Sequence, residues 1–178
     1  GIDEANKLLE EHTNITRKNI ALYEGREVEN GGSGFIVSFT SAGKAVACAL
    51  AVLKEMPPEI ADAIGLKMSI NAGEPIEKSN QLFGDTIQHA QHMFTISKYF
   101  QVAMASSVKE LVVKDHLNNK QNNFLVLGAH DEALLEALFA QLEANWQNPD
   151  FDLDDYCHEM AMSKSQLYRK TVTLTGLS

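Results

Sequence analysis

Stretches whose apolar residues alternate with polar ones recur along the chain as far as Leu127, and then stop. Arg26–Glu29, Phe35–Phe39, Leu66–Asn71, Pro75–Lys78, Gln101–Met104 and Phe124–Leu127 read as strands, because a period of two puts one face of a strand on a core. Between them the period is helical. Residues 3–24 carry Leu8, Ile15 and Leu22 at seven-residue spacing, with Gly25 as a stop. A second helix, which Ser41 would cap, holds Val46, Ala49, Leu50 and Leu53 and closes at Pro57-Pro58. Further helices are expected from Asp85 to Lys98 and from the Ser106-Ser107 cap, and His116–Asn123 reads as a loop. Two-strand units separated by helices predict an α+β sandwich, with helices on one face of a mostly antiparallel sheet.

Beyond Gly128 no strand pattern survives, and a domain boundary is expected at 128–131, dividing residues 1–128 from 129–178. Asp131 reads as the cap of a helix with Leu134, Leu135, Leu138, Phe139, Leu142 and Trp146 on its apolar side, stopped at Asn148-Pro149. Asp152 caps a second, with Leu153, Tyr156, Cys157 and Met160. Ser163–Gln166 is a capping box for a third. Two short helices joined by Ala161-Met162-Ser163 have the layout of a helix-turn-helix, whose second helix enters the major groove of DNA. Lys164, Ser165, Gln166, Arg169 and Lys170 are the candidate DNA-binding residues, while Leu167 and Tyr168 are expected to pack inward. The plain alternative is a small bundle with a solvated face, and the nine acids against three bases in 131–178 favour it.

The chain has 178 residues, is 44% hydrophobic and carries a formal charge of −9, with a pI near 5.1. Such a surface does not bind nucleic acid or acidic membranes as a whole, though a local basic face is compatible with it. No signal-peptide pattern or membrane-length apolar run is visible, and Cys48 and Cys157 form no disulfide framework. A reduced, cytoplasmic protein with no membrane partner is expected. Gly1 in place of a Met, and the ending at Leu-Thr-Gly-Leu-Ser, suggest a piece of a longer protein. No P-loop, nucleophile elbow or zinc cysteine set appears.

Residues 7–112 resemble the class III nucleotide cyclase homology domain. The resemblance is carried by Gly25-Arg-Glu-Val28, Gly32-Ser33-Gly34-Phe35 with Phe39, Ala45 and Ala49, Ala72-Gly73-Glu74, and Leu82-Phe83-Gly84-Asp85 followed by Thr86–Met93. It implies a ferredoxin-like sandwich that works as a dimer and, in active members, two metal-binding Asp residues, two base-recognising residues and an Asn/Arg pair on the triphosphate. Carried across, the second metal Asp falls at Ser33, and the first belongs to a strand that would precede residue 1. The base-recognising positions are Glu29 and Gln81. The Asn falls at Gln88 and the Arg at His92. A neutral Ser is a poor ligand for a hard cation, and a Glu in place of Lys reverses the charge. The expectation is therefore a catalytically inactive domain needing no cofactor or metal, with Glu29, Ser33, Gln81, Gln88 and His92 left as a possible pocket for a small molecule or nucleotide. His89 and His92, three residues apart, read either as a new metal or anion site, perhaps with Glu29, or as ordinary polar helix residues. The second reading is adopted, no carboxylate partner being evident in the sequence.

Residues 147–178 resemble the first half of an AraC-type DNA-binding domain, through Phe151, Leu153, Met162, Ser163, Leu167, Arg169, Gly176 and Ser178. Cys157 and Ala161 stand where that family usually has Ala and Gly. Together the two resemblances imply a homodimeric transcriptional regulator whose complete parent protein binds double-stranded DNA. An active adenylate or guanylate cyclase regulated by the helical tail is the alternative, and a ligand-free dimerisation scaffold a third.

Overall fold

The computed structural model of the protein describes residues 2–28, 34–73, 84–112 and 123–176. Its elements, in chain order, are α1 (Ile2–Leu22), β1 (Arg26–Val28), β2 (Ile36–Ser38), α2 (Ala42–Glu55), α3 (Pro58–Ile64), β3 (Lys67–Ile70), α4 (Gly84–Ile96), β4 (Gln101–Met104), α5 (Ser106–Leu111), β5 (Phe124–Val126), α6 (Ala129–Asn145), α7 (Leu153–Glu159) and α8 (Lys164–Thr175). The arrangement is mixed α+β. Glu29, Ser33, Gln81 and the expected strand at Pro75–Lys78 lie outside the described residues.

Strand pairing departs from the sequence expectation. β1 and β2 are antiparallel, with Glu27 opposite Val37. β3, β4 and β5 form a second sheet in which both ladders are parallel, Met68 lying beside Val102 and Ala103 beside Leu125. The reason lies in the connections: α4 intervenes between β3 and β4 and α5 between β4 and β5, and a helical crossover returns the chain in the same direction. Helices also cover both faces of this sheet rather than one. Met68 and Val102 join a cluster with Ile20, Val52, Leu53 and Ile60 from α1, α2 and α3. Ala103 joins Met93 and Ile96 of α4 in another, and the Ser69 hydroxyl donates to the Ala90 carbonyl at 2.7 Å. A period of two identifies a strand but not its neighbour, so pairing could not be read from it. Among the described residues the two sheets share no ladder; Phe35, Val37 and Phe39 reach the first cluster by packing alone.

Two glycines fix the layout. A Cβ at Gly25 would stand 2.7 Å from the Phe39 ring and 2.8 Å from Val37, so only glycine lets α1 turn so tightly into β1. Gly65, at φ 62°, ends α3 in the left-handed conformation. α3 itself was not foreseen. Pro57-Pro58 reads as a stop, yet Pro58 is the first residue of a new helix, where its missing N–H costs nothing.

The segment from 129 onward is joined to the α+β part. Leu135, Phe139 and Leu174 pack in the same cluster as Val46, Met93, Met104 and Val108. A third cluster, Leu134, Leu138, Cys157 and Leu167, holds α7 and α8 against α6. Both capping boxes form, at Asp152 with Asp155 and at Ser163 with Gln166. Four apolar expectations fail here: Leu142, Trp146, Leu153 and Tyr168 are exposed. The α6 stripe that meets neighbours is narrower than the sequence suggested, and Leu167 alone is buried in α8. Among the described residues no helix is long and apolar enough to cross a membrane.

Candidate functional site

On α4, residues 88 and 92 are one turn apart and residue 89 stands beside them, so all three polar side chains share a flank while Met93 and Ile96 face the core. On α6, Glu132, Glu136 and Glu143 stand four and seven residues apart, which aligns them along one flank of a helix. Where the two flanks meet, acids face imidazoles. His89 Nδ1 lies 2.7 Å and His92 Nδ1 2.9 Å from the same oxygen, Glu136 Oε1. His92 Nε2 lies 3.3 Å from Glu143 Oε1. The Gln88 amide donates to Glu143 Oε2 at 3.1 Å and Oε1 at 3.3 Å.

The imidazoles are shielded while the Gln88–Glu143 end is open to solvent: His92 is 6% exposed, and its ring stacks on Phe139 at 4.0 Å between centroids and 5° between planes. His89 Nε2 is 3.4 Å from Glu132 Oε2, but that contact lacks hydrogen-bond geometry and leaves the nitrogen buried without an acceptor. The other oxygen of Glu132 accepts from the backbone N–H of Ser106 at 2.6 Å, tying α6 to the start of α5.

Two residues expected to line an inherited pocket, Gln88 and His92, therefore stand together, and both are engaged by the chain's own α6. The sequence reading paired His89 with His92 but set both aside as ordinary polar helix residues, and it missed all three glutamates. The acid spacing on α6 was the available signal, but nothing in sequence says that α6 crosses α4. Among the described residues no group of three or more His, Cys, Asp or Glu is arranged to hold a metal ion.

The five candidate DNA contacts all lie on α8, with different partners. Lys164 Nζ pairs with Asp154 at 2.7 Å, and that hydrogen bond holds its ammonium above the usual lysine range. The Gln166 side chain is used in the capping box, its Oε1 accepting from the backbone N–H of Ser163 at 3.0 Å. Ser165 is exposed. Arg169 and Lys170 border a cleft of about 270 Å³ between α8, β5 and the start of α6. The buried thiol of Cys48 is pushed up to about 11 by desolvation, which removes it as a nucleophile.

The chain is 30% identical over 98 residues to a putative adenylate cyclase 3 of Rhizobium meliloti (strain 1021), a match that covers 52% of this chain and 17% of that protein. The chain thus spans less than a fifth of its relative's length. No family model matches. The similarity is cyclase-like in about half of the chain; neither finding supports the AraC-type resemblance of residues 147–178.

Proposed function

We propose that the chain belongs to a transcriptional regulator in which a catalytically inactive cyclase-like domain, sensory or dimerising, controls an AraC-type DNA-binding unit that begins with α7 and α8. The observation that carries the reading is the state of Gln88 and His92. At the two positions where the resemblance expects an Asn and an Arg for a triphosphate, the side chains are held by Glu136 and Glu143 instead. A triphosphate brought there would meet carboxylates, and like charges at such short range repel. The two capped helices with Leu167 turned inward support a helix-turn-helix, with Arg169 and Lys170 as its open cations. A homodimer in the cytoplasm and a small-molecule ligand belong to the same proposal.

The similarity to a protein named as a putative adenylate cyclase favours a second reading, an active cyclase or nucleotide-binding remnant regulated by its helical tail. Incubating the protein with ATP or GTP and Mn²⁺ separates the two. The regulator reading expects no cyclic nucleotide above blank, and sequence-selective retardation of a DNA library by the parent protein. Metal-dependent cyclic nucleotide formation, abolished by no change on α8, would overturn it.

A further inference from the structure

The α4–α6 contact sets a carboxylate oxygen at each ring nitrogen of His92. A neutral imidazole has one N–H and one lone pair. His92 meets a carboxylate oxygen at each ring nitrogen, Glu136 Oε1 at Nδ1 and Glu143 Oε1 at Nε2. In either neutral tautomer one of these contacts sets a lone pair against an anionic oxygen. Only the imidazolium donates to both. The Phe139 ring lying flat on it adds a cation–π attraction that the neutral ring lacks.

The surrounding charges make this state matter. From α6 come Glu132, Glu136 and Glu143; from α4 come His89 and the neutral Gln88. From α5 only the Ser106 backbone N–H reaches the cluster. β3 also packs on α4, but its Lys67 sits over Phe94 and Tyr99, and β4, Gln-Val-Ala-Met, has no charge. With His92 neutral, the two glutamates that flank it lose the cation between them. The neighbouring side of α6 is bound differently, through Leu134 and Leu138 to Cys157 and Leu167, and through the Tyr156 hydroxyl donating to the Leu138 carbonyl at 2.9 Å. Leu135 and Phe139 of α6 and Leu174 of α8 also pack in the cluster of Met93 and Ile96, so the glutamate flank is the part of the contact that a proton can adjust.

We propose that His92, between Glu136 and Glu143, is a proton-gated latch: doubly protonated, it clamps the glutamate flank of α6 to α4, and on losing a proton it loosens that flank. The latch itself stands on the contact geometry; that its release reaches DNA rests on the regulator reading above.

The test is ring-nitrogen NMR of His92 with amide hydrogen exchange of residues 129–145, on the whole chain across about pH 5 to 8, where histidines change charge. The expected result is two protonated ring nitrogens while α6 is protected. When one proton leaves, exchange in α6, corrected for its intrinsic pH dependence, should rise on the order of tenfold as the helix opens locally. His92→Phe, which keeps a stacking ring and cannot titrate, should abolish that step. A singly protonated His92 in the protected state, or a pH step that persists in His92→Phe, would overturn the latch. The wild-type spectrum decides the first point even if the variant fails to fold. DNA retardation by the parent protein, followed over the same range, is separate: a confirmed latch with no DNA binding sinks the regulator reading and leaves the latch standing.

Discussion

One side of α6 meets α4 through three glutamates, two imidazoles and an amide laid beside Leu135 and Phe139; the other meets α7 and α8 through leucines, a cysteine and one hydroxyl alone. The two contacts answer to different variables. The apolar contact scales with buried area and is indifferent to pH or salt over ordinary ranges. The polar contact depends on a proton, and its members cannot be removed singly without stranding a partner. A helix held in these two ways can stay attached to one neighbour while its grip on the other is adjusted.

The largest effect is expected on the apolar side. Leu138→Ala removes a side chain 7% exposed in the cluster under α7 and α8 and should cost about 2–4 kcal/mol. Hydrogen exchange should show the loss confined to residues 153–175, with α4 still protected. On the polar side, His92→Ala deletes the ring between Glu136 and Glu143 and should cost about 2 kcal/mol, as an unpaired buried polar group does, read from the urea midpoint. Here protection should fall in α6 first. If each substitution loosens both contacts equally, the two sides are one cooperative unit and the contrast fails.

Smaller effects sharpen the picture at the helical pair. Ser163→Ala removes the hydroxyl that accepts from the Gln166 N–H at 3.2 Å and should lower stability by about 1 kcal/mol, seen as fraying at the start of α8. Asp152 has its carboxyl held below the usual range by the backbone N–H groups of Asp155 and Asp154. Its contribution is therefore present above the ordinary carboxylate range and fades as pH falls through its own lower one. Asp152→Asn should flatten that part of the acid unfolding curve and leave stability above it nearly unchanged.

Local rules were legible in part: Asp131 lies inside the first turn of α6, which Gly128 caps, and Ala105 rather than Ser106 caps α5. β4, the Asp152 cap and the Ser163–Gln166 capping box stand where spacing put them, because a cap or a strand period involves residues within a few positions. α3 was lost because Pro57-Pro58 signals both a stop and a start, and Glu59 with Gly65 was needed to tell them apart. The parallel pairing of β3, β4 and β5 and the exposure of Leu142, Trp146 and Tyr168 depend on which elements meet, which periodicity does not contain. The candidate site shows the same division. Gln88 and His92 were marked by resemblance, but Glu136 and Glu143 come from a helix that only the packing of α6 on α4 brings across to them. The sequence therefore showed half of the contact.

The most direct test of the charge-held contact is a double-mutant cycle between His92 and Glu136, with His92→Ala, Glu136→Ala and both together measured by urea unfolding near neutral pH. Residues in one buried hydrogen-bonded network couple by roughly 0.5–3 kcal/mol, whereas independent sites add to within a few tenths. A favourable coupling of about 1 kcal/mol or more, shrinking as pH rises, is the expected result. Additive losses, or a coupling unmoved by pH, would contradict the account that a proton on His92 holds α6 to α4.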